Sequence, residues 1–586
     1  MKMNQKILFL LILLFSIGFY ACDTLLTQEE ENAYYEELIE ENPSYAQGIL
    51  FHAYTQMTGS YQFEDVATDD AVSNDMSNSS NVYANFRRAA TGEWSPFFDP
   101  TNVWSSSYAA INNVNFFLTF YDKVQWSIQY PERQREFVKR FYAESMALRG
   151  YHYLRLLSRY GGVATDGSLL GVPVTDGLTT SNDNTNLPRP SFRVTMDRIY
   201  ADLDIAIRDM PFDFPNVSGT LTDFEFVYRL EANRGRMNGK IARALKAKAA
   251  LLDASPAYNG GVYDVEKAKF ATKVAADLLR IYGDGGVPAL ASNPVFWDND
   301  NARNHADIIW RGNTATNRDI ETSNFPPLLS GNGRINPTQN LVDAFPMKNG
   351  YPITMTAESG YDPTDPYEGR DNRLKQNIYV NGSVLRSVTI NSSTDATLAN
   401  GTQNTNGLNV LPNYSTRTGY YLRKLLREDV NLITGQTQNR IHFYTHIRWT
   451  EMFLLYAEMV NEAYGPDADP ESLGLTARDV IAAIRQRAGI DQPDPYLASI
   501  SSKEVMRELI RNERRLELCF EGHRFWDLRR WNLPLDEPAK GMSITGNAYT
   551  IIPNVEPREF KPYMVYCPIP NAEVIKYPEL LQNKDW

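Results

Sequence analysis

The sequence predicts a mostly α-helical chain, an array of paired helices that carries a loop-rich lobe with small β elements. Three observations predict it. Apolar residues recur at helical spacing in segments towards both ends of the chain. Between them, residues 283–445 are rich in Asn, Gly, Thr and Pro, with only short β-like runs at 307–310 and 378–380. Helix-turn-helix pairing recurs without a strict repeat, which fits a degenerate helical solenoid.

The first element is a processing signal. Lys2 and Lys6 precede a nearly unbroken apolar stretch at 7–20. That stretch falls short of the ~20 apolar residues of a membrane-spanning helix, and it ends at Ala21-Cys22. A small residue before Cys is where a lipoprotein signal is cut and the cysteine acylated. This predicts a signal peptide at 1–21 and lipid on Cys22; a secretory signal with an incidental cysteine is the other reading. Residues 22–47 read as a polar spacer with an acidic run, Glu29-Glu30-Glu31. No later segment is long and apolar enough to span a bilayer.

Residues 48–282 form a first helical region around a variable loop at 78–98. Residues 104–121 place Trp104, Tyr108, Ile111 and Leu118 near one face. Residues 134–160 are apolar almost all round, as in a helix buried between neighbours, and Gly161-Gly162 ends them. Pro190-Ser191 opens a helix with Ile199, Leu203 and Ile207 at four-residue spacing. Residues 239–254 are Ala- and Lys-rich, with strong helix propensity, and 265–282 continue the pattern. After the lobe at 283–445, helices return in 446–586, at 448–464, 476–488 and 502–520, before an extended, Pro-punctuated tail from 566.

Bulk properties exclude some partners. The chain has 586 residues with a net charge of -13, and losing Lys2 and Lys6 with the signal makes the body more acidic still. An acidic body argues against nucleic acid and against docking on anionic lipid. With Cys22 acylated, Cys519 and Cys567 remain, too few for a disulfide framework. They read as small buried thiols.

The run at 511–531, RNERRLELCFEGHRFWDLRRW, concentrates Glu, His, Arg and Asp and invites a catalytic reading. Helical phase argues otherwise. Leu509, Leu516, Cys519 and Phe520 share one stripe, while Arg511/Arg515, Glu513/Glu517 and Glu517/Glu521 are like-charge pairs at i,i+4. Each such pair disfavours an isolated helix by a few tenths of a kcal/mol, unless opposite charges reach it from neighbouring helices. Structural bracing is the expectation. His442 and His446 have the spacing of a metal pair on a helix, but their surroundings, HFYTHIRW, are β-like and no HExxH is present. His523 has no nucleophile elbow nearby. Asp69, Asp70 and Asp75 fit either paired carboxylates for glycoside hydrolysis or loop acids that cap helices. No catalytic residue, cofactor or metal is assigned.

Loop aromatics carry the functional signal. Residues 78–98 interleave Tyr83, Phe86, Trp94, Phe97 and Phe98 with Asn81, Asn85 and Arg87. Trp297 stands near Asp298, Asn299 and Arg303. Apolar ring faces stack on sugar C–H faces, and Asn, Asp and Arg pair with hydroxyls. The binding assignment is Tyr83, Asn85, Arg87, Trp94, Trp297, Asn299 and Arg303. The alternative for any one ring is that it tucks its loop onto the body.

Several blocks, in order, resemble the SusD/RagB family of outer-membrane nutrient-binding lipoproteins. They are YAESMALRGYHYLRLLSRYGGVA at 142–164, LPRPSFRVTMDRIYADLDIA at 187–206 and GKIARALKAKAALLDASPAYN at 239–259. RDNRL at 370–374, GYYLRK at 419–424, RWTEMFLLYAEMVNEAYG at 448–465, IRQRAGI at 484–490, the run at 511–531 and PIPNAEVIKYPELLQN at 568–583 complete the series. The resemblance implies a TPR-like, right-handed superhelical array with a variable lobe. It implies display at the outer membrane of a Gram-negative bacterium, anchored through Cys22, as the lid of a SusC-like TonB-dependent β-barrel transporter that supplies the energy for uptake. It implies capture of oligosaccharides, or of peptides as in RagB-like members. A surface glycoside hydrolase is a further alternative. The family's shared blocks do not fix ligand residues.

Overall fold

The computed structural model describes residues 36–77, 81–175, 177, 187–292, 297–577 and 579–586. The signal peptide, Cys22 and the acidic run lie outside the described residues, as do positions 78–80 of the first aromatic loop.

Among the described residues the principal helices are α1 (Pro43–Thr55), α2 (Val82–Arg88), α3 (Trp104–Phe117), α4 (Pro131–Tyr160), α5 (Phe192–Asp209), α6 (Gly239–Ala254), α7 (Val265–Tyr282), α8 (Trp449–Tyr464), α9 (Ala477–Arg487), α10 (Lys503–Glu517) and α11 (Arg524–Arg530). They pack in file: α1 on α3, α3 on α4, α4 on α5, α5 on α6, α6 on α7, α7 on α8, and α8 on both α9 and α10. α7 and α8 are thus neighbours in the file although the whole lobe lies between them in sequence. The molecule is mostly helical with small sheets, as the periodicity predicts.

Local chemistry explains the ends of these helices. Pro131 starts α4 at its first position, where its missing N–H costs nothing. Phe141, Leu148, Tyr153 and Leu157 of α4 are buried on several faces, because neighbours cover it all round. The chain leaves α4 through Gly161 and Gly162; a Cβ on Gly162 would lie 2.4 Å from the Tyr566 ring. Asn238 caps α6 by accepting from the Ile241 N–H at 2.9 Å. Asp264 caps α7 by accepting from Glu266 and Lys267. Thr476 and Asp479 form a reciprocal capping box on α9.

One helix is shorter than its periodicity predicts. α10 stops at Glu517 rather than continuing to Phe520. Phe520 and Gly522 take left-handed backbones, at φ 62 and 80, and α11 begins at Arg524. The run at 511–531 is therefore two helices around a break. Asp65 holds the break by accepting the Phe520 N–H at 3.3 Å. That contact comes from the far end of the chain, so helical periodicity carries no sign of it.

The lobe is built on two-stranded antiparallel sheets. Ile308–Arg311 pairs with Thr445–Arg448, and Ala315–Asn317 pairs with Arg440–His442. The C-terminal region adds a hairpin, Ala539–Thr545 with Ala548–Glu556, where the sequence pattern shows only helices and an extended tail.

Candidate ligand-binding site

The charged run at 511–531 is a brace. Glu513 accepts from Arg485 and Arg373, each at 2.8 Å. Glu517 meets Arg487 at 2.8 Å, Arg448 at 3.2 Å and Arg373 at 3.4 Å. Glu521 meets Lys424 at 2.7 Å and Arg448 at 2.9 Å. Burial alone would raise the Glu517 carboxyl, but Arg487, Arg448 and Arg373 outweigh it and hold the group well below the carboxylate range. Glu513, Glu517, Glu521 and Arg515 are each answered from elsewhere in the fold, while Arg511 pairs with Glu508 of its own helix at 3.0 Å. Arg515 and Arg524 hold Asp69 at 2.9 Å and 2.8 Å, and Arg515 holds Asp70 at 2.6 Å. These two acids are arginine partners rather than a free pair. Asp75 is bound by Ser77 and by Asn81.

The two remaining thiols are inert. Cys519 and Cys567 are buried and unpaired with each other. Burial pushes each thiol up to about 12, far from the thiolate needed for reactivity.

The histidine pair is split. His442 ends the strand Arg440–His442 and His446 lies in the next strand, Thr445–Arg448. His446 stacks on Trp310 at 4.2 Å, and burial lowers its pKa to about 3. His442 Nε2 lies 3.3 Å from the buried Glu321 carboxylate. Among the described residues, no group of three or more His, Cys, Asp or Glu converges on a metal position.

Aromatic rings converge in a cleft of about 360 Å³. Tyr61 and Phe63 enter from the segment before the first turn of 3-10 helix, Tyr83 from α2, Trp297 from the lobe segment before Ile308–Arg311, and Tyr444 from between the strand pairs. Tyr61 meets Trp297 edge-on at 6.4 Å and Tyr444 at 4.8 Å. Phe63 stacks on Tyr83 at 5.7 Å. Phe63 takes a left-handed backbone at φ 57, an uncommon conformation for a bulky residue. Burial raises the pKa values of Tyr61, Tyr83 and Tyr444, so all three hydroxyls stay protonated.

Polar groups line the same cleft from the sheet Ala315–Asn317 with Arg440–His442. Ala315 pairs with His442 and Asn317 with Arg440, so two-residue alternation brings Ala315, Asn317 and His442 to one face. Asn313, Asp319 and Ser323 complete the polar side. Aromatic faces opposite amides, hydroxyls and a carboxylate can both stack on a flat apolar surface and pair with hydroxyls.

The seven assigned residues do not gather at one place. Tyr83 and Trp297 line the cleft together. Trp94 is elsewhere, 4 % exposed, packed on Trp586 at 5.1 Å and on Phe525 and Phe560 at 5.8 Å, with Nε1 donating to Asp99. Arg87 pairs with Glu556 at 3.1 Å, inside a cluster with Arg417 and Arg558. Asn85 sits within α2. Asn299 caps a turn of 3-10 helix by accepting from Asn301, and the Arg303 carbonyl accepts from Arg311. Tyr61, Phe63 and Tyr444 escape the sequence pattern because they lie in two short segments, 61–63 and 443–444, that meet only in the folded chain. The flanking Gly59-Ser60 turn signal was the available hint.

Trp297 also borders a second cavity of about 370 Å³. Its cations are saturated: Arg373 by Glu513, Arg423 by Glu428, Lys424 by Glu521, Arg448 by Asp307 and Arg487 by Glu517. The aromatic cleft is the better ligand surface.

Comparison with known proteins agrees with this architecture. A family model described as SusD family matches residues 296–586, and one described as starch-binding, associating with outer membrane, matches residues 28–219. A SusD-like protein from Formosa agariphila is 31% identical over 183 residues, which spans 30% of this chain and 30% of that curated relative's length. Among solved structures, a SusD-like protein from Bacteroides fragilis matches with TM-score 0.69 and 22% identity, over 94% of this chain and 98% of its own. A SusD-like carbohydrate-binding protein from the same organism matches with TM-score 0.68 and 20% identity, over 92% and 99%. A laminarin-binding SusD-like protein matches with TM-score 0.57 and 19% identity, over 93% and 100%. At these identities the structural likeness establishes the fold.

Proposed function

Because the chain belongs to the SusD family, we propose that it is a cell-surface lipoprotein that captures oligosaccharides, without cleaving them, as the lid of a SusC-like TonB-dependent transporter. The lipid on Cys22 anchors it to the outer membrane. The observation that carries the ligand class is the cleft where Tyr61, Tyr83, Trp297 and Tyr444 meet Asn313, Asn317, Asp319 and His442. Rings supply stacking surfaces for sugar C–H faces, and the polar side supplies partners for hydroxyls. Solved relatives described as carbohydrate-binding and laminarin-binding support a glycan over other ligands. In this reading Tyr83 and Trp297 contact ligand, whereas Trp94 and Arg87 hold the first loop to the body.

A panel of oligosaccharides, with peptides included, tests the ligand class by calorimetry on the full chain. Glycan binding is expected, and binding to peptides alone would overturn the glycan assignment. New reducing ends after incubation with polysaccharide would overturn the non-enzymatic reading. Cys22→Ala is expected to release the protein from membranes. Co-purification of a β-barrel transporter with the wild-type chain tests the lid role, and its absence from detergent extracts counts against it.

A further inference from the structure

The charge that lines the aromatic cleft has one sign. Among its described lining residues there is no Lys or Arg, and there is one acid, Asp319. Asp319 is exposed at the first position of the short helix Asp319–Asn324, and its carboxylate forms no ion pair among the described residues. A second acid stands behind the wall. Glu321 is fully buried. Its Oε2 lies 3.3 Å from His442 Nε2, and its Oε1 accepts the Arg427 backbone N–H at 2.8 Å. Residues 78–80 and 293–296, which precede Val82 and Trp297 in sequence, include no charged residue.

Cations do occur beside the cleft, but each is engaged elsewhere. Arg440 shares a sheet face with its register partner Asn317. Its guanidinium turns to Asp429 at 2.6 Å, to Gln438 at 3.0 Å and to the Asn439 carbonyl at 3.0 Å. Arg427 is held by Asp300 at 2.7 Å and by Asp429 at 2.8 Å. Arg318, between Asn317 and Asp319 in sequence, donates to the Asn439 side chain at 2.9 Å.

This arrangement discriminates by charge. A neutral sugar ring meets rings, amides and hydroxyls. A uronate or sulfate group meets Asp319 with no free cation to offset it, on a chain whose net charge is already -13. Like charges a few ångströms apart at a protein surface cost about tenfold in affinity. We propose that the cleft selects neutral oligosaccharides and rejects acidic ones, with Asp319 as the residue that sets the choice. This rests on the glycan-binding reading given above.

Calorimetry on the full chain tests it, with neutral hexose oligosaccharides set against uronate and sulfated ones of equal length. The tightest ligand is expected to be neutral. Oxidising its primary hydroxyls to carboxylates should weaken binding by about tenfold or more at low ionic strength, and added salt should narrow that gap by screening. Methyl-esterifying the new carboxylates removes the charge and keeps the added carbonyl, so affinity should return. Asp319→Asn should narrow the ratio of neutral to oxidised affinity severalfold, whatever it does to either ligand alone. If no glycan binds, the glycan-binding reading itself falls, and this inference with it. If glycans bind and an acidic one binds tightest, that reading stands and the charge selection alone is overturned. An ester as weak as the acid would show shape rather than charge to be the cause and would overturn it too, as would a ratio unchanged in Asp319→Asn.

Discussion

Tyr61 stands edge-on to Trp297, with ring centroids 6.4 Å apart and planes at 85°. The two residues lie far apart in sequence, Tyr61 just after α1 and Trp297 between α7 and α8. Their contact makes a corner of the aromatic cleft, and Tyr83 and Tyr444 extend its walls. A surface assembled from such distant segments can vary its ligand without disturbing the helices that hold it.

Stacking in this cleft has a measurable consequence. Trp297→Ala and Tyr83→Ala should each weaken oligosaccharide binding by ~1–3 kcal/mol, taking aromatic stacking on nucleic-acid bases as the guide. Calorimetry with the tightest glycan of the panel reads this directly. Unchanged affinity in both variants would place the ligand on another surface.

Trp94 should behave differently. Its ring is enclosed by Trp586, Phe525 and Phe560, so Trp94→Ala leaves a cavity. A loss of about 3–5 kcal/mol of stability is expected from such a truncation, with glycan affinity retained below the melting point. Urea unfolding and binding measured on one preparation separate the two effects. Lost affinity with intact stability would return Trp94 to the binding surface.

The brace can be broken at one residue. Glu517 sits among Arg448, Arg373 and Arg487. Glu517→Ala leaves Arg487 without a carboxylate and strips one partner each from Arg448 and Arg373, and breaking such a buried pair typically costs about 3–5 kcal/mol. The midpoint of urea unfolding should drop accordingly. A variant as stable as the parent would show that the network is hydrated enough to dispense with its central acid.

Asp65 predicts a pH dependence. Burial, reinforced by Asp70 and Glu64, raises its carboxyl from 3.8 to about 8. The folded protein therefore keeps Asp65 protonated where the unfolded chain has already released the proton. A raised folded pKa is stabilising at low pH, and that contribution is lost as pH rises from about 4 to about 8. Asp65→Asn retains an oxygen for the Phe520 N–H and cannot ionise. Its melting temperature relative to the parent should be higher at pH 8 than at pH 5. Parallel profiles for the two proteins across that range would contradict the assignment.

Much of the helical file is legible in sequence, for local reasons. The starts at Trp104, Gly239 and Val265 follow from apolar spacing and from caps such as Asn238 and Asp264, which act within a few residues of themselves. The hairpin at 539–556 also had a local sign in Gly546-Asn547 between its strands, a two-residue turn signal that the surrounding helical pattern obscures. The break after α10 had none, because Asp65 sets it from the other end of the chain.

By itself the sequence determined the class of the chain, most of its helices and the bracing character of the run at 511–531. Spacing, capping and charge pattern act over a few turns and need no folded partner. Tertiary structure decided which aromatic rings remain available. Trp94 and Trp297 sit in similar company, each a tryptophan among polar loop residues, and both are buried, at 4 % and 7 % exposure; Phe560 and Trp586 close over the first, whereas the second borders a cleft with Tyr61 and Tyr83. The covering residues lie hundreds of positions away, and burial is a property of the packed chain rather than of any window along it.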